Sequence, residues 1–411
     1  MPPSPPERHQ TALVWLCAGL VAITGATLCW IVIRSPATPV YDEGWYLKSI
    51  ELLRRNGLSL AFLRDLPGPA GPTFTLVYAP IVAWLSPAMP WLRLVNTGLL
   101  VASAILLGVI FAALKTRPDG AEDPAGAVLL PGMLLMAPTA AVSGGMTLTE
   151  VPALAFVTVF LALTAINREH KTSLAFGAGL ALGIAILGRQ NYLVILPCLI
   201  VLSDGTRRSI EALAISAVIA ALMSGAVFWV WGGLVPPMTA FSGRGIHPWH
   251  FVLSAGYLGI VATLIAPAIY APVCADRKRL GGLIVAALAI TAIMGEPVAP
   301  GRTIAAGINS QAIDWLSAVA LSLSAVAFLS AMAFRLRTFW DDRFGRFAGL
   351  VTIAGAISNA NIHQFSSRYI FVLLPFVLIN LARSVTVSWH LPLRLAAGSL
   401  AGLASLASYF R

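Results

Sequence analysis

The sequence is a succession of long apolar runs separated by short polar loops. Roughly 18 apolar residues in a row are enough to mark a bilayer-crossing helix. Candidate spans are 11–33, 72–90, 92–114, 126–142, 150–166, 172–188, 191–202, 210–232, 250–273, 280–294, 313–334, 346–362, 368–383 and 392–410. Only 11% of the residues are charged and 58% are hydrophobic, whereas soluble domains carry about 25% charged residues. The expected fold class is therefore all-α, a polytopic transmembrane bundle of about 12–14 helices in one integral-membrane domain over 1–411. The longest polar stretch is 34–71, so a soluble domain of any size is not expected.

The formal charge of +10 points to topology rather than to nucleic acid. Cations concentrate in "NREHK" (167–171), "SDGTRRS" (203–209), "DRKRL" (276–280) and "RLRTFWDDRFGR" (335–346), which the positive-inside rule places in the cytoplasm. The loops at 143–149, 233–249, 295–312 and 363–367 are then outside. No basic tract interleaved with aromatics exists, and no Walker or GxGxxG loop argues for a nucleotide. The run over 11–33 reads as a retained anchor. An inside N-terminus puts 34–71 outside, yet the three spans between 71 and 150 make an odd number. One of them is thus short, stacked on a neighbour or re-entrant, or the N-terminus is outside. Cys17, Cys29, Cys198 and Cys274 lie in or beside apolar runs and show neither metal spacing nor a disulfide framework.

Chemistry concentrates at the outer rim. "PVYDEGWYLKSIELLRRNGLSL" (39–60) places Asp42 as N-cap of a helix from Glu43 to Asn56, closed by Gly57. Tyr46, Ile50 and Leu53 share one face, and Lys48, Glu51, Arg54 and Arg55 lie off it, the pattern of a helix in the membrane interface. The acids could serve only the helix's positive end, or they could do chemistry. Glu150 in "GGMTLTEVPAL" is likewise either a first-turn acid or a second reactive carboxylate. Arg189 in "LGRQNYLVILP" and Arg368 in "HQFSSRYIFVLLPF" are cations on the outer side, where snorkelling competes with lining a cavity. Arg244 and Arg302 are ordinary loop arginines. Arginines suit a phosphate, and carboxylates can take a proton from a hydroxyl. Gln190, Asn191, Tyr192 and His363 are the polar neighbours placed to touch an acceptor or a sugar. His247 and His250 read as interfacial histidines beside Trp249 rather than metal ligands, because Pro248 interrupts them.

The order "YDEGWYLKSIELLRRNG", "GPTFTLVYAP", "LRLVN", "TLTEVPALAF", "GRQNY", "SSRYIFVLLP" resembles the GT-C glycosyltransferases, including protein O-mannosyltransferase and lipid A aminoarabinose transferase relatives. The resemblance covers most of 11–203 plus 363–380. It implies a catalytic module over 11–203 with first outer loop 34–71, followed by more variable helices over 204–411. It further implies a polyprenyl- or dolichyl-phosphate sugar donor, inversion at the anomeric carbon, and reaction on the outer or lumenal face of a bacterial inner membrane. Asp42 matches the family's general base, Glu43 its acidic neighbour, and Glu150 the second-loop acid, where many relatives carry Asp. Arg189 and Arg368 match cationic donor-phosphate contacts. Many relatives add a soluble C-terminal domain, whereas this chain ends in an apolar run at Arg411, so the expected acceptor hydroxyl is on a small, lipid-linked, glycan or protein partner delivered at the membrane. No cofactor and no metal are expected. A flippase or transporter of a lipid-linked saccharide would also want outer arginines, but its polar residues belong near the bilayer midplane.

Overall fold

A computed structural model describes residues 5–84, 89–114, 124–239, 245–294, 311–338, 342–362, 365–385 and 387–411. The protein is an all-α polytopic helical bundle, with no strand among the described residues. Six helices are long and apolar enough to cross a membrane, or seven if one bent pair is counted as a span. Large apolar side chains such as Trp15, Trp84 and Trp229 point outward, as a hydrocarbon surround permits. The chain forms two compact units, residues 1–244 with 387–411, and residues 245–386.

The first unit opens with α1 (Pro5–Ile33), α2 (Glu43–Asn56) and the short α3 (Leu60–Arg64). Helix α2 has the boundaries its sequence implies, and Gly57 ends it at φ 59°, a conformation glycine adopts freely. Tyr46 and Ile50 bury against Leu28, Val32, Phe74, Tyr78 and Met146, so the apolar stripe of α2 faces protein. The Asp42 side chain, expected to cap this helix, makes no capping bond. In α3, Ser59 accepts from the Phe62 amide, and Phe62 and Leu66 pack on Trp231, whose indole donates to Leu63 O at 2.8 Å.

The odd helix count of the sequence has its counterpart here. Helix α4 (Thr73–Trp84) has 12 residues, about 18 Å of rise and well short of a bilayer. Helix α5 (Met89–Leu114) is full length. The expected span 126–142 is instead two helices, α6 (Pro124–Leu135) and α7 (Pro138–Gly145), parted at Pro138. Helix α7 then meets α8 (Glu150–Ile166) at 111° across Met146–Thr149, a broken span or a re-entrant turn. Helix α9 (Thr172–Gly188) leads into a mixed segment, Gln190–Leu202, and the long helix Arg207–Trp231. Gly179 and Gly183 let α9 approach that helix so closely that a Cβ on Gly179 would stand 2.8 Å from Ser216 O. The helix His390–Tyr409 closes the unit against α1 and α7, with Thr24 and Ser399 sharing a hydroxyl bond of 2.8 Å.

The second unit holds helices Pro248–Ile265, Arg277–Met294, Gln311–Thr338 and Arg343–Ser358, then Ser367–Leu381, part 3-10 and part α. Buried Arg335 donates from Nε to Asn380 Oδ1 at 3.0 Å and from its terminal nitrogens to Ser384 Oγ and Asn380 O. Asn380 in turn donates to Gly345 O at 2.8 Å, tying three helical segments together.

Candidate functional site

The loop acids of the first unit lie on one framework of buried polar contacts. Glu43, the first residue of α2, and Arg93, in the first turns of α5, form an ion pair with both side chains at 0% exposure. Arg93 Nε donates to Glu43 Oε1 at 2.9 Å and Nη2 to Oε2 at 2.6 Å, a two-pronged bridge. Its other three donors go to Ser35 Oγ at 2.7 Å, Pro36 O at 2.6 Å and Thr38 O at 3.0 Å. An arginine has five N–H donors, and here all five are placed.

Glu43 is equally complete. Oε1 also accepts from the Thr147 amide at 2.8 Å, and Oε2 from the Val40 amide at 2.8 Å. Expected to stand with Asp42 as a catalytic carboxylate, Glu43 instead has both oxygens doubly occupied by protein donors, as a framework acid would. One turn along α5, Asn96 donates to the carbonyls of Ser143, Gly144 and Met146, and its Oδ1 receives the Tyr78 hydroxyl at 2.6 Å. Thr97 Oγ1 adds a bond to Gly144 O at 3.0 Å. One face of α5 thus fixes both the first loop and the break between α7 and α8.

Asp42 sits beside this lock, half-buried, at the mouth of α2. Its neighbour Tyr41 has φ 54°, unusual for a residue with a bulky side chain, and its ring meets Tyr409 edge-on with centroids 5.7 Å apart. Glu150 opens α8 three residues after Thr147, so their Cα atoms are within about 11 Å. Its carboxylate, at 0% exposure, pairs with the Arg189 guanidinium. Arg189 follows Gly188, where α9 ends in extended backbone at φ −150°. Separate elements in the sequence, these two are brought into contact by the fold.

The residues after Arg189 also serve the first loop. Gln190 Nε2 donates to Pro69 O at 2.7 Å, and Thr73 Oγ1 donates to Ile184 O at 2.6 Å. Gly71 packs on the Leu187 carbonyl where a side chain would collide. Asn191 is half-buried and Tyr192 fully buried. The hydroxyls of Ser143, Thr147 and Thr149, all buried, meet no protein hydrogen-bond partner.

Arg368 belongs to the second unit, is 7% exposed, and holds its guanidinium 5.4 Å from the Tyr369 ring centre. In the same unit His247 precedes the helix Pro248–Ile265 and forms a ring cluster with Trp249, His250 and Phe365. Among the described residues no three His, Cys, Asp or Glu side chains gather as metal ligands do. His363, Arg244 and Arg302 lie outside the described residues.

In the sequence, Arg93 and Asn96 stand out only as part of "LRLVN", and nothing there gives them or Thr97 a role. Their signal is visible in retrospect: an arginine, an amide and a hydroxyl at i, i+3 and i+4 on one face of an apolar run.

No protein-family profile matches the sequence, and no curated protein matches it. Among solved structures, the chain is similar to ArnT from Cupriavidus metallidurans in the apo state, at 16% identity and TM-score 0.44, covering 95% of this chain and 77% of that one. It is similar also to the same protein bound to undecaprenyl phosphate, at 14% identity and TM-score 0.47, with the same coverage.

Proposed function

We propose that the protein is an integral-membrane glycosyltransferase of the GT-C kind, moving a sugar from a polyprenyl-phosphate donor to a hydroxyl acceptor on the non-cytoplasmic face. The observation that carries the reading is the pairing of roles within one dyad. Glu43 is wired into the framework, and Asp42, next to it, is held half-buried at the mouth of α2 by the same loop. A carboxylate held in this way suits a general base.

In the proposed step Asp42 takes the acceptor's hydroxyl proton. The acceptor oxygen bonds to the anomeric carbon as that carbon's bond to the phosphate oxygen breaks. Polyprenyl phosphate leaves with the bonding electrons, and a single displacement inverts the anomeric centre. Arg189 would steady the charge growing on the phosphate, since a guanidinium with five donors can hold Glu150 and a phosphate oxygen together. Arg368 is carried as a further phosphate contact on the motif resemblance alone. Glu150 orients the acceptor, and the buried hydroxyls of Ser143, Thr147 and Thr149 beside it are polar groups a sugar could satisfy. Neither a cofactor nor a metal enters this step. The expected setting is a bacterial inner membrane with the site facing the periplasm, and the acceptor hydroxyl is on a lipid-linked, glycan or protein partner.

A second reading has one observation in its favour. Glu150 opens a half-helix at a 111° break, and transporters place ligands at broken helices. Reconstituted protein offered a panel of polyprenyl-phosphate sugars separates the two readings. Sugar transfer that Asp42→Asn abolishes, with donor binding retained, supports the enzyme. Donor that crosses the bilayer intact, without transfer, supports the flippase, and transfer by Asp42→Asn at the wild-type rate removes Asp42 as base.

A further inference from the structure

We infer that Arg93 is a positioning residue, which from inside α5 locks the first outer loop to the loop before α8 and so sets where Asp42 stands relative to Glu150. The inference rests on the glycosyltransferase reading for its chemical meaning and on geometry for its mechanics. Three donors of Arg93 grip consecutive parts of the first loop at Ser35, Pro36 and Thr38. The other two grip Glu43, whose remaining lone pairs take the amides of Val40 and Thr147. One guanidinium–carboxylate pair therefore fixes the chain on both sides of Asp42 and also the stretch leading to Glu150. The Phe410 ring covers the guanidinium, 4.7 Å from its carbon.

Stability alone is a weak account of this arrangement. A buried ion pair carries a desolvation cost, and well-packed apolar residues often do as well or better. What a saturated pair supplies is a single geometry. The turn beside it needs one, because Tyr41 at φ 54° is a conformation that persists only where its surroundings over-determine it. A strained residue immediately before Asp42, on a stretch of chain pinned on either side by Arg93 and Glu43, is the arrangement expected if the side chain at 42 must be aimed.

Two variants of the full chain in lipid nanodiscs test this. Arg93→Lys keeps the charge but cannot fill five acceptor positions. Arg93→Met combined with Glu43→Gln removes both charges together, so no carboxylate is left buried beside a missing partner. Hydrogen–deuterium exchange is read on peptides covering 34–43 and 143–150, alongside transfer kinetics per folded molecule. Exchange should rise in both segments together, with kcat falling on the order of 100-fold and donor KM moving by no more than about threefold. Arg93→Lys should fall between the double variant and wild type. Exchange that changes in only one segment, or in neither, overturns the lock. Unchanged kcat in folded variants whose loops have loosened overturns the positioning role. Should wild type transfer no sugar while both segments still loosen in concert, the lock stands and the glycosyltransferase reading is what fails.

Discussion

At the scale of single residues, the rim of this protein is organised by which charges are already spent. Glu150 is fully enclosed and depends on Arg189, itself largely buried. Removing one member of such a pair costs about 3–5 kcal/mol, whereas removing both charges costs much less. Arg189→Ala should therefore lower the thermal unfolding midpoint in detergent clearly more than Arg189→Ala combined with Glu150→Gln. Equal midpoints for the two would mean that the carboxylate does not need the guanidinium. In the loop before the helix Arg207–Trp231, Asp204 is held well below the ordinary carboxylate range. The Thr206 hydroxyl and amide lead in this, and His170 at 3.0 Å adds to it. A depressed carboxyl contributes stability above its unfolded value of about 3.9, and the contribution fades as pH falls through the folded value. The midpoint difference between wild type and Asp204→Asn should thus be present at neutral pH and shrink progressively under acid. A difference that grows under acid would reverse the assignment.

At the scale of elements, two helices illustrate what a pattern can and cannot carry. Helix α2 follows from its residues: an apolar stripe at helical spacing, basic residues off it, and a glycine to end it. The α7–α8 break is anticipated as a loop at 143–149, but its 111° angle needed more. What bends it is the set of bonds from Asn96 and Thr97 to the carbonyls at 143, 144 and 146, contacts about 50 residues distant in sequence. Packing between α9 and Arg207–Trp231 gives a further test. A Cβ on Gly179 meets the backbone of Ser216, which cannot yield, whereas one on Gly183 first meets the flexible Met223 sulfur. Gly179→Ala should cost about 1–3 kcal/mol of stability and Gly183→Ala less, by the overpacking rule. Thermal melts of the two variants in detergent check the order, and a reversed order would show that the helices part easily at Ser216.

At the scale of the whole molecule, charge is scarce, and four buried charges among the described residues are closely accompanied. Arg93, Glu43, Glu150 and Arg335 each lie inside a unit with named polar partners. In a chain with 11% charged residues this is a large investment in fixed polar geometry, and in the first unit it gathers where two acidic loops meet. A framework of that kind holds its groups at set positions, because each buried charge is satisfied in one geometry only.

Much of this was legible without coordinates. The helical class, the membrane habit, most element boundaries, and Glu150 and Arg189 as charges set among apolar runs all follow from hydropathy and the rarity of charge, because these act locally along the chain. The division of labour within the Asp42–Glu43 dyad did not follow, since adjacent carboxylates read alike until their partners are known. Nor did Arg93, nor the contact of Glu150 with Arg189 across 39 positions. Those were decided by tertiary structure, because a buried charge must be matched by donors and acceptors wherever the fold brings them, and sequence separation places no limit on where that is.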